Sequence, residues 1–91
     1  MDPTDRLIER ARRHHRRGES RKAIVALREA CSRNDRVAWL WTLYGAWLAE
    51  TGHAPEAQRA FSHALWLRRQ DHDDRRAHST VVLMSRVLTA A

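Results

Sequence analysis

The sequence predicts an all-α protein of about five helices, and three observations support that prediction. Apolar residues recur at intervals of three and four along most of the 91-residue chain, which is the period of a helix with one buried face. No segment shows the alternation of apolar and polar residues that marks a strand. A set of spacings in residues 38–71 also returns, more faintly, 34 residues earlier, which indicates a chain built from stacked helical units.

The first two helices are marked by their caps and by the turn between them. Asp2 and Pro3 favour a helix start. Gly18 is expected to end this helix by adopting a left-handed backbone conformation. Ser20 is expected to cap the second helix. The apolar face of the second helix consists of Ala23, Ile24, Leu27, Ala30 and Cys31.

The third and fourth helices form a second pair. Residues 36–50 are apolar and rich in tryptophan, and they predict a third helix that Thr51 and Gly52 close after a turn at Asn34 and Asp35. The fourth helix begins near a proline that suits a first turn. Its proline and apolar stripe are Pro55, Ala57, Ala60, Phe61, Ala64, Leu65 and Leu67.

The fifth helix is predicted to run from about residue 74 to residue 88. The apolar signal lapses before it, and Asp71, Asp73 and Asp74 are suited to cap its start. No glycine or proline forces a break in this segment. One continuous helix through it is therefore the structural alternative.

Residues 38–71 carry a motif that identifies a helical repeat. Its spacing, W-x2-Y-G-x2-L followed by G and by A-x3-F-x2-A, consists of Trp41, Tyr44, Gly45, Leu48, Gly52, Ala57, Phe61 and Ala64. This motif resembles the tetratricopeptide repeat, with the usual Leu and Tyr exchanged at positions 44 and 48. The resemblance implies one domain, arranged as a fragment of a right-handed α-solenoid with Trp41 in its core. A degenerate repeat would cover residues 4–37, a second repeat 38–71 and a terminal capping helix 72–91.

In that family the first helix of each repeat lines a concave groove that holds a partner. Carried over by position, the resemblance implies that partner-binding residues are Ile8, Arg12, His15, Arg16, Trp39, Thr42, Glu50, Arg76 and Leu83. Such a surface suits an acidic or amphipathic segment of another protein, because arginine binds carboxylates in a bidentate manner and tryptophan supplies contact area. We therefore expect a cytoplasmic adaptor or small chaperone.

Self-association is a second expectation. Two repeats and a capping helix are fewer than the three or so repeats that usually support such a stack. The last helix carries more apolar side chains than one buried face needs. We predict a homodimer through Trp66, Met84, Val87 and Leu88. The alternative is a monomer whose last helix packs closely on the fourth.

The sequence gives little support to catalysis or metal binding. Cys31 is the only cysteine, which excludes a disulfide framework and a cysteine-cluster zinc site. His14 and His15 point about 100° apart on a helix, and no histidine pair has the HExxH spacing. The three isolated glycines form no phosphate-binding loop. We therefore expect no enzymatic activity, no metal and no cofactor.

Nucleic-acid binding is the alternative function. The net charge is +6, and basic residues crowd into the first helix and the following turn, enough for several phosphate contacts. They are Arg6, Arg10, Arg12, Arg13, Arg16, Arg17, Arg21 and Lys22. A solvated basic face explains the same residues, and the segment lacks interleaved aromatics. No apolar run approaches the roughly 18 residues that span a bilayer, so no membrane insertion is expected.

Overall fold

The computed structural model describes residues 2–89, and that part of the chain contains five helices and no strand. The helices are α1 (Pro3–Arg16), α2 (Ser20–Arg33), α3 (Ala38–Glu50), α4 (Ala54–Gln70) and α5 (Asp74–Thr89). The all-α prediction and the number of helices are thereby confirmed. Residues 90 and 91 of the predicted capping helix lie outside the described residues. Between residues 2 and 89, no helix has the length and apolar character needed to cross a bilayer.

The helices are arranged in two layers. Consecutive helices pack against one another, and α3 also contacts α5. On one side, the His15 ring of α1 stacks on Trp47 of α3 with the ring centroids 4.1 Å apart. On the other side, Arg28 of α2 forms an ion pair of 2.8 Å with Glu56 of α4. Helices α1, α3 and α5 therefore form one layer, called the groove face, and α2 and α4 form the outer face, within extents of 34 × 32 × 17 Å.

Three of the four turns share one geometry, in which a residue with positive φ follows the helix. These residues are Gly18 (φ 73°), Gly52 (φ 81°) and His72 (φ 55°). In each turn the next amide donates to a carbonyl oxygen five residues earlier, at 2.9, 2.9 and 2.8 Å, which satisfies a free carbonyl at the helix end. Glycine adopts positive φ without steric cost. His72 adopts it as well and separates α4 from α5, so the alternative of one continuous helix is wrong.

The predicted caps are partly confirmed. The side chain of Asp2 accepts a hydrogen bond of 2.9 Å from the amide two residues later, and that of Asp73 accepts one of 3.2 Å from the amide three residues later. The prediction for Ser20 is wrong, because Ser20 is already helical. The N-cap of α2 is Glu19, whose side chain makes no capping bond.

The core lies between the two layers. Its largest fully buried side chains are Phe61, Leu27, Leu40, Leu48 and Cys31. Small residues occupy the helix crossings, and Ala57 and Ala64 have no exposed surface. At Gly45 an added Cβ would lie 3.0 Å from the ring of Phe61. The close contact between α3 and α4 therefore favours glycine at this position, because any side chain would press on the Phe61 ring.

The prediction that Trp41 is a buried core residue is wrong. Trp41 is only partly buried, and its ring lies edge-on to His63 of α4 with a centroid distance of 4.5 Å. Its indole Nε1 donates to the backbone carbonyl of Asp35 at 2.9 Å, which keeps the ring at the edge of the helix beside a turn. Trp47 and Tyr44 are the buried aromatic residues of α3, at 7% and 5% exposure.

Candidate functional site

A cavity of about 310 Å³ opens on the groove face between α1, α3 and α5, and Arg68 near the end of α4 also lines it. It is lined by Arg12, Trp39, Thr42, Leu43, Ala46, Arg68 and Leu83. Four of the predicted partner-binding residues meet in this groove cavity: Arg12, Trp39, Thr42 and Leu83. Because these four come from three different helices, only the packing of the layer brings them together.

The wall of the groove cavity is formed by a second apolar face of α3. Leu40, Tyr44, Trp47 and Leu48 are buried against the rest of the core. A second set of residues, also at intervals of three and four, lies on the neighbouring side of α3. This set consists of Trp39, Thr42, Leu43 and Ala46. A helix that is apolar on both faces needs a partner for each. In α3 the second face is only partly covered: Leu43 and Ala46 are half-buried against the core, and Trp39 is 45% exposed.

Two arginines give the groove cavity a positive charge. Arg12 is exposed, and no ion pair involves it within residues 2–89. The side chain of Arg68 is 18% exposed, and its Nη1 lies 4.0 Å from an Asp73 carboxylate oxygen. The buried Nε of Arg68 has no hydrogen-bond partner in the part of the chain that the structure describes. A carboxylate brought to this cavity would meet the exposed guanidinium of Arg12.

His15 of α1 and Glu50 of α3 contact each other on the groove face. The ring Nε2 of His15 is 3.0 Å from the Glu50 carboxylate oxygen, and the ring stacks almost parallel on Trp47, at an interplanar angle of 5°. These contacts fasten α1 to α3. The structure thus gives these two predicted partner-binding residues a part in holding the groove face together.

The other predicted partner-binding residues lie outside the lining of the groove cavity. Ile8 is half-buried and packs against the core. Arg16 is exposed at the end of α1. Arg76 forms an ion pair of 3.4 Å with Asp73 at the start of α5.

A larger cavity, of about 460 Å³, lies on the outer face and was not foreseen from the sequence. Its lining residues come from α2, α3 and α4: Arg28, Ser32, Trp41, Tyr44, Glu56, Arg59, Ala60 and His63. They share no motif and no single helical spacing. No sequence signal marks this outer cavity, because it depends on how α2 and α4 pack over α3.

Three polar side chains of the outer cavity, Arg28, Tyr44 and Glu56, bond one another. Arg28 donates from Nε to the Tyr44 hydroxyl and from Nη2 to Glu56, both at 2.8 Å, and the Tyr44 hydroxyl donates to Glu56 at 2.5 Å. The hydrogen bonds from Tyr44 and Arg28 lower the pKa of Glu56. Burial and the hydrogen bond to Glu56 raise the pKa of Tyr44. The hydrogen bonds that Arg28 donates to Tyr44 and Glu56 raise the pKa of Arg28. The result is a closed network that ties three helices together.

Two further donors at the outer cavity are also engaged. Trp41 Nε1 and His63 Nε2 both lie within 2.9 Å of the backbone oxygen of Asp35. A carbonyl only accepts, so His63 carries its proton on Nε2 in this contact. The turn between α2 and α3 is thereby fixed to α4. The bonded groups of the outer cavity thus stabilise the packing of α2, α3 and α4, whereas Arg59, exposed at the same cavity, takes part in no ion pair among residues 2–89.

Cys31 lies in the core, away from solvent. Cys31 is fully buried, and burial raises the pKa of its thiol to about 12, so the nucleophilic thiolate is scarce near neutral pH. Within residues 2–89, no three His, Cys, Asp or Glu side chains are placed to hold a metal ion.

The residues predicted for self-association occupy two different environments. Trp66 is 55% exposed on α4 and stacks beside His63 with ring centroids 6.0 Å apart. Met84, Val87 and Leu88 are partly buried and pack against the core of their own chain. The large apolar side chains most exposed on α5 are instead Val81 and Val82.

Comparison with protein-family models, curated proteins and solved structures finds no match for this chain. A function therefore has to follow from the surfaces of the chain itself.

Proposed function

We propose that this protein is an adaptor or small chaperone that holds an acidic or amphipathic segment of a partner protein in the groove cavity. The observation that carries the proposal is Trp39. Its indole is 45% exposed in a cavity that also contains the apolar Leu43 and Leu83 and the cationic Arg12. Exposed tryptophan and arginine are the residues over-represented at the energetic centres of protein interfaces.

The size of the groove cavity favours a protein segment over a small-molecule cofactor. At about 310 Å³ it lies at the lower limit of small-molecule sites, and it accommodates one or two side chains of a longer ligand. An apolar side chain would pack against Trp39, and a neighbouring carboxylate would bind the guanidinium of Arg12. The remainder of the segment would extend along the groove face.

The repeat geometry supports the proposal that the chain is tetratricopeptide-like. The end of α1 at Arg16 and the start of α2 at Ser20 recur 34 residues later, at Glu50 and Ala54. The two glycines with positive φ have the same separation. Stacked helices of this kind hold a groove in its binding shape, so the receptor loses little conformational entropy when the ligand binds.

The first test compares two exposed tryptophans. Peptides with one Leu, Phe or Trp flanked by Asp and Glu are screened, and the affinity of the best binder is measured by calorimetry. Trp39→Ala is expected to cost about 2 kcal/mol, which is roughly a 30-fold loss of affinity. Trp66→Ala, equally large and exposed on the outer face, should change the affinity by less than about threefold. Equal losses in both variants would contradict a site on the groove face.

The second test concerns the charge of the groove. Arg12→Glu with Arg16→Glu is expected to abolish peptide binding and to leave the helicity, measured by circular dichroism, unchanged. Arg13→Glu with Arg17→Glu is the matched control, because it changes the net charge equally on the same helix but on another side of it. If the control loses binding to the same extent, net charge alone is responsible and the groove proposal fails.

A further inference from the structure

A stripe of arginines on α1 takes part in none of the contacts described above. Arg6, Arg10 and Arg13 lie on α1, and Arg17 is its C-cap. Their spacing of four, three and four residues places them within a sector of about 60° around the helix axis. All four side chains are exposed. These four residues are called the basic stripe.

The packing of α2 against α1 adds further positive charge beside the basic stripe. A hollow of about 340 Å³ between the two helices is lined by Arg10, Arg21 and Lys22, together with His14, Val25, Ala26 and Glu29. A neighbouring hollow of about 240 Å³ is lined by Arg6, Arg10 and Arg33, together with Pro3, Leu7 and Glu29. Positive charge from two helices therefore converges on one edge of the molecule.

The basic stripe makes no ion pair with the described carboxylates around it. Glu19 pairs with Lys22 at 3.3 Å and with His14 at 3.2 Å, and Glu29 pairs with Arg33 at 3.3 Å. Glu9 lies on α1 three residues after Arg6 and four before Arg13, and it is exposed and pairs with neither. None of the four stripe arginines takes part in an ion pair in the described range 2–89. Like charges at these spacings repel one another. A polyanion bound along the stripe would remove that repulsion.

The residues around the basic stripe indicate which kind of partner it suits: a protein, a membrane or a nucleic acid. Leu7 and Ala11, the apolar residues of α1 nearest to it, are buried, and the one large apolar side chain exposed beside it is Val25. A protein interface needs a desolvated apolar or aromatic anchor, and a helix that lies on a membrane needs an exposed apolar face. Contacts to the phosphates of nucleic acid need neither an apolar anchor nor an exposed apolar face.

We propose that the basic stripe binds the phosphate backbone of nucleic acid without reading its sequence. From Arg6 to Arg17 the helix rises about 16 Å, and along that length a duplex presents on the order of ten phosphates. All four guanidinium groups can therefore contact phosphate oxygens at once. This activity uses another side of α1 from the groove cavity, so it is independent of the proposed peptide site.

Fluorescence polarisation tests the proposal with labelled DNA duplex, single-stranded DNA and RNA of mixed sequence. With four phosphate contacts, the logarithm of the duplex binding constant should fall with the logarithm of salt concentration with a slope of about −3.6. That slope corresponds to a loss on the order of 100-fold between about 50 and 200 mM salt. A variant with Arg6, Arg10, Arg13 and Arg17 all changed to Gln should lose at least about tenfold in affinity at about 100 mM salt, along with most of this slope.

The control variant carries the same loss of charge elsewhere. Arg36, Arg69, Arg75 and Arg86 are exposed and take part in no ion pair among the described residues. Changing all four to Gln should leave the affinity within about threefold and the slope unchanged. Circular dichroism confirms that both variants are folded. If the stripe variant does not fold, the pair Arg13→Gln and Arg17→Gln is compared with the pair Arg75→Gln and Arg86→Gln.

Three results would overturn the proposal. The first is equal loss of affinity in the stripe variant and the control, which would assign binding to net charge. The second is no binding to any of the three nucleic acids at about 50 mM salt, where phosphate contacts are strongest. The third is tighter binding to phosphatidylserine vesicles than to nucleic acid. Trp39→Ala should keep full nucleic-acid affinity, so failure of the groove proposal and failure of this one are distinguishable.

Discussion

At the scale of single residues, Gly45 sets the distance between α3 and α4. An added Cβ would lie 3.0 Å from both Cδ1 and Cε1 of Phe61, and Phe61 has no exposed surface into which its ring could move. Close packing of the two helices explains the small residues at such crossings, without any chemical role for them. The tetratricopeptide-like motif places a glycine at this position, and the structure supplies the steric reason.

Gly45→Ala should lower the free energy of unfolding by about 1 kcal/mol. Overpacking costs about 1–3 kcal/mol, and the better helix propensity of alanine offsets about 1 kcal/mol of that cost. Gly45→Leu should prevent stable folding. Urea denaturation measures both effects. A double variant that adds Phe61→Leu should recover part of the Gly45→Ala loss, whereas strictly additive losses would show that the ring is not the obstacle.

At the scale of elements, the turns decide where the helices end. Gly18 and Gly52 adopt positive φ at little cost in free energy. The helices before them end as the sequence predicts. The break between α4 and α5 is made by His72, a residue that disfavours the left-handed conformation. There the packing of α5 on α4 and α3 and the cap by Asp73 outweigh the local preference of the chain.

His72→Gly should therefore raise the free energy of unfolding by up to about 1 kcal/mol, because glycine removes the strain of positive φ. Gly52→Ala, made at the equivalent turn between α3 and α4, should lower it by about 1 kcal/mol for the opposite reason. Both are measured by urea denaturation. A loss of stability in His72→Gly would mean that the histidine ring makes stabilising contacts.

The network that joins α2, α3 and α4 should make stability depend on pH. In the folded protein the pKa of Glu56 lies below its usual value of 4.5, so its bonds contribute fully above that pH. The contribution is lost as the pH falls through the lower, folded-state pKa. The Tm should thus decline on acidification below about pH 4.5, and more steeply in the wild type than in Glu56→Gln, which has no carboxylate to titrate. Parallel declines in the two proteins would assign the acid sensitivity to other groups.

At the scale of the whole molecule, the stack of helices has an open end. Val81 and Val82 of α5 are 43% and 36% exposed, and α5 packs only on α4 and α3 among the described helices. A two-layer protein of 91 residues buries a modest fraction of its surface. Association of two copies would bury more of the apolar surface of α4 and α5.

The homodimer through Trp66, Met84, Val87 and Leu88 stays a prediction, with Trp66 exposed and Met84, Val87 and Leu88 already packed in part against the core of their own chain. Sedimentation equilibrium should give twice the mass of the chain at high protein concentration. Trp66→Ala should shift the equilibrium toward the monomer, and Trp39→Ala, which changes the groove cavity and none of these four residues, should leave it unchanged. The mass of a single chain at every concentration would contradict the prediction and favour the monomer with a closely packed last helix.

Much of the fold could be predicted because it rests on local chemistry. Helical spacing of apolar residues, the cap at Asp2 and the glycines at 18 and 52 act within a few residues of each other, and the structure agrees with each. The prediction that Ser20 caps α2 is wrong, because Glu19 occupies the N-cap position. The candidate site could be predicted only in part: position in the repeat located Trp39 and Arg12, but it could not show that His15 binds Glu50.

By itself, the sequence determined the helical character of the chain, the turns at Gly18 and Gly52 and the small residues at the crossings, since periodicity, capping and backbone preference are read within one or two helical turns. Only the tertiary structure decided the rest. It placed Trp41 at an edge beside His63, closed the outer network around Glu56 and brought Arg12 of α1 and Trp39 of α3 together in the groove cavity. These features depend on distances between helices that are far apart along the chain, and such distances are set by packing.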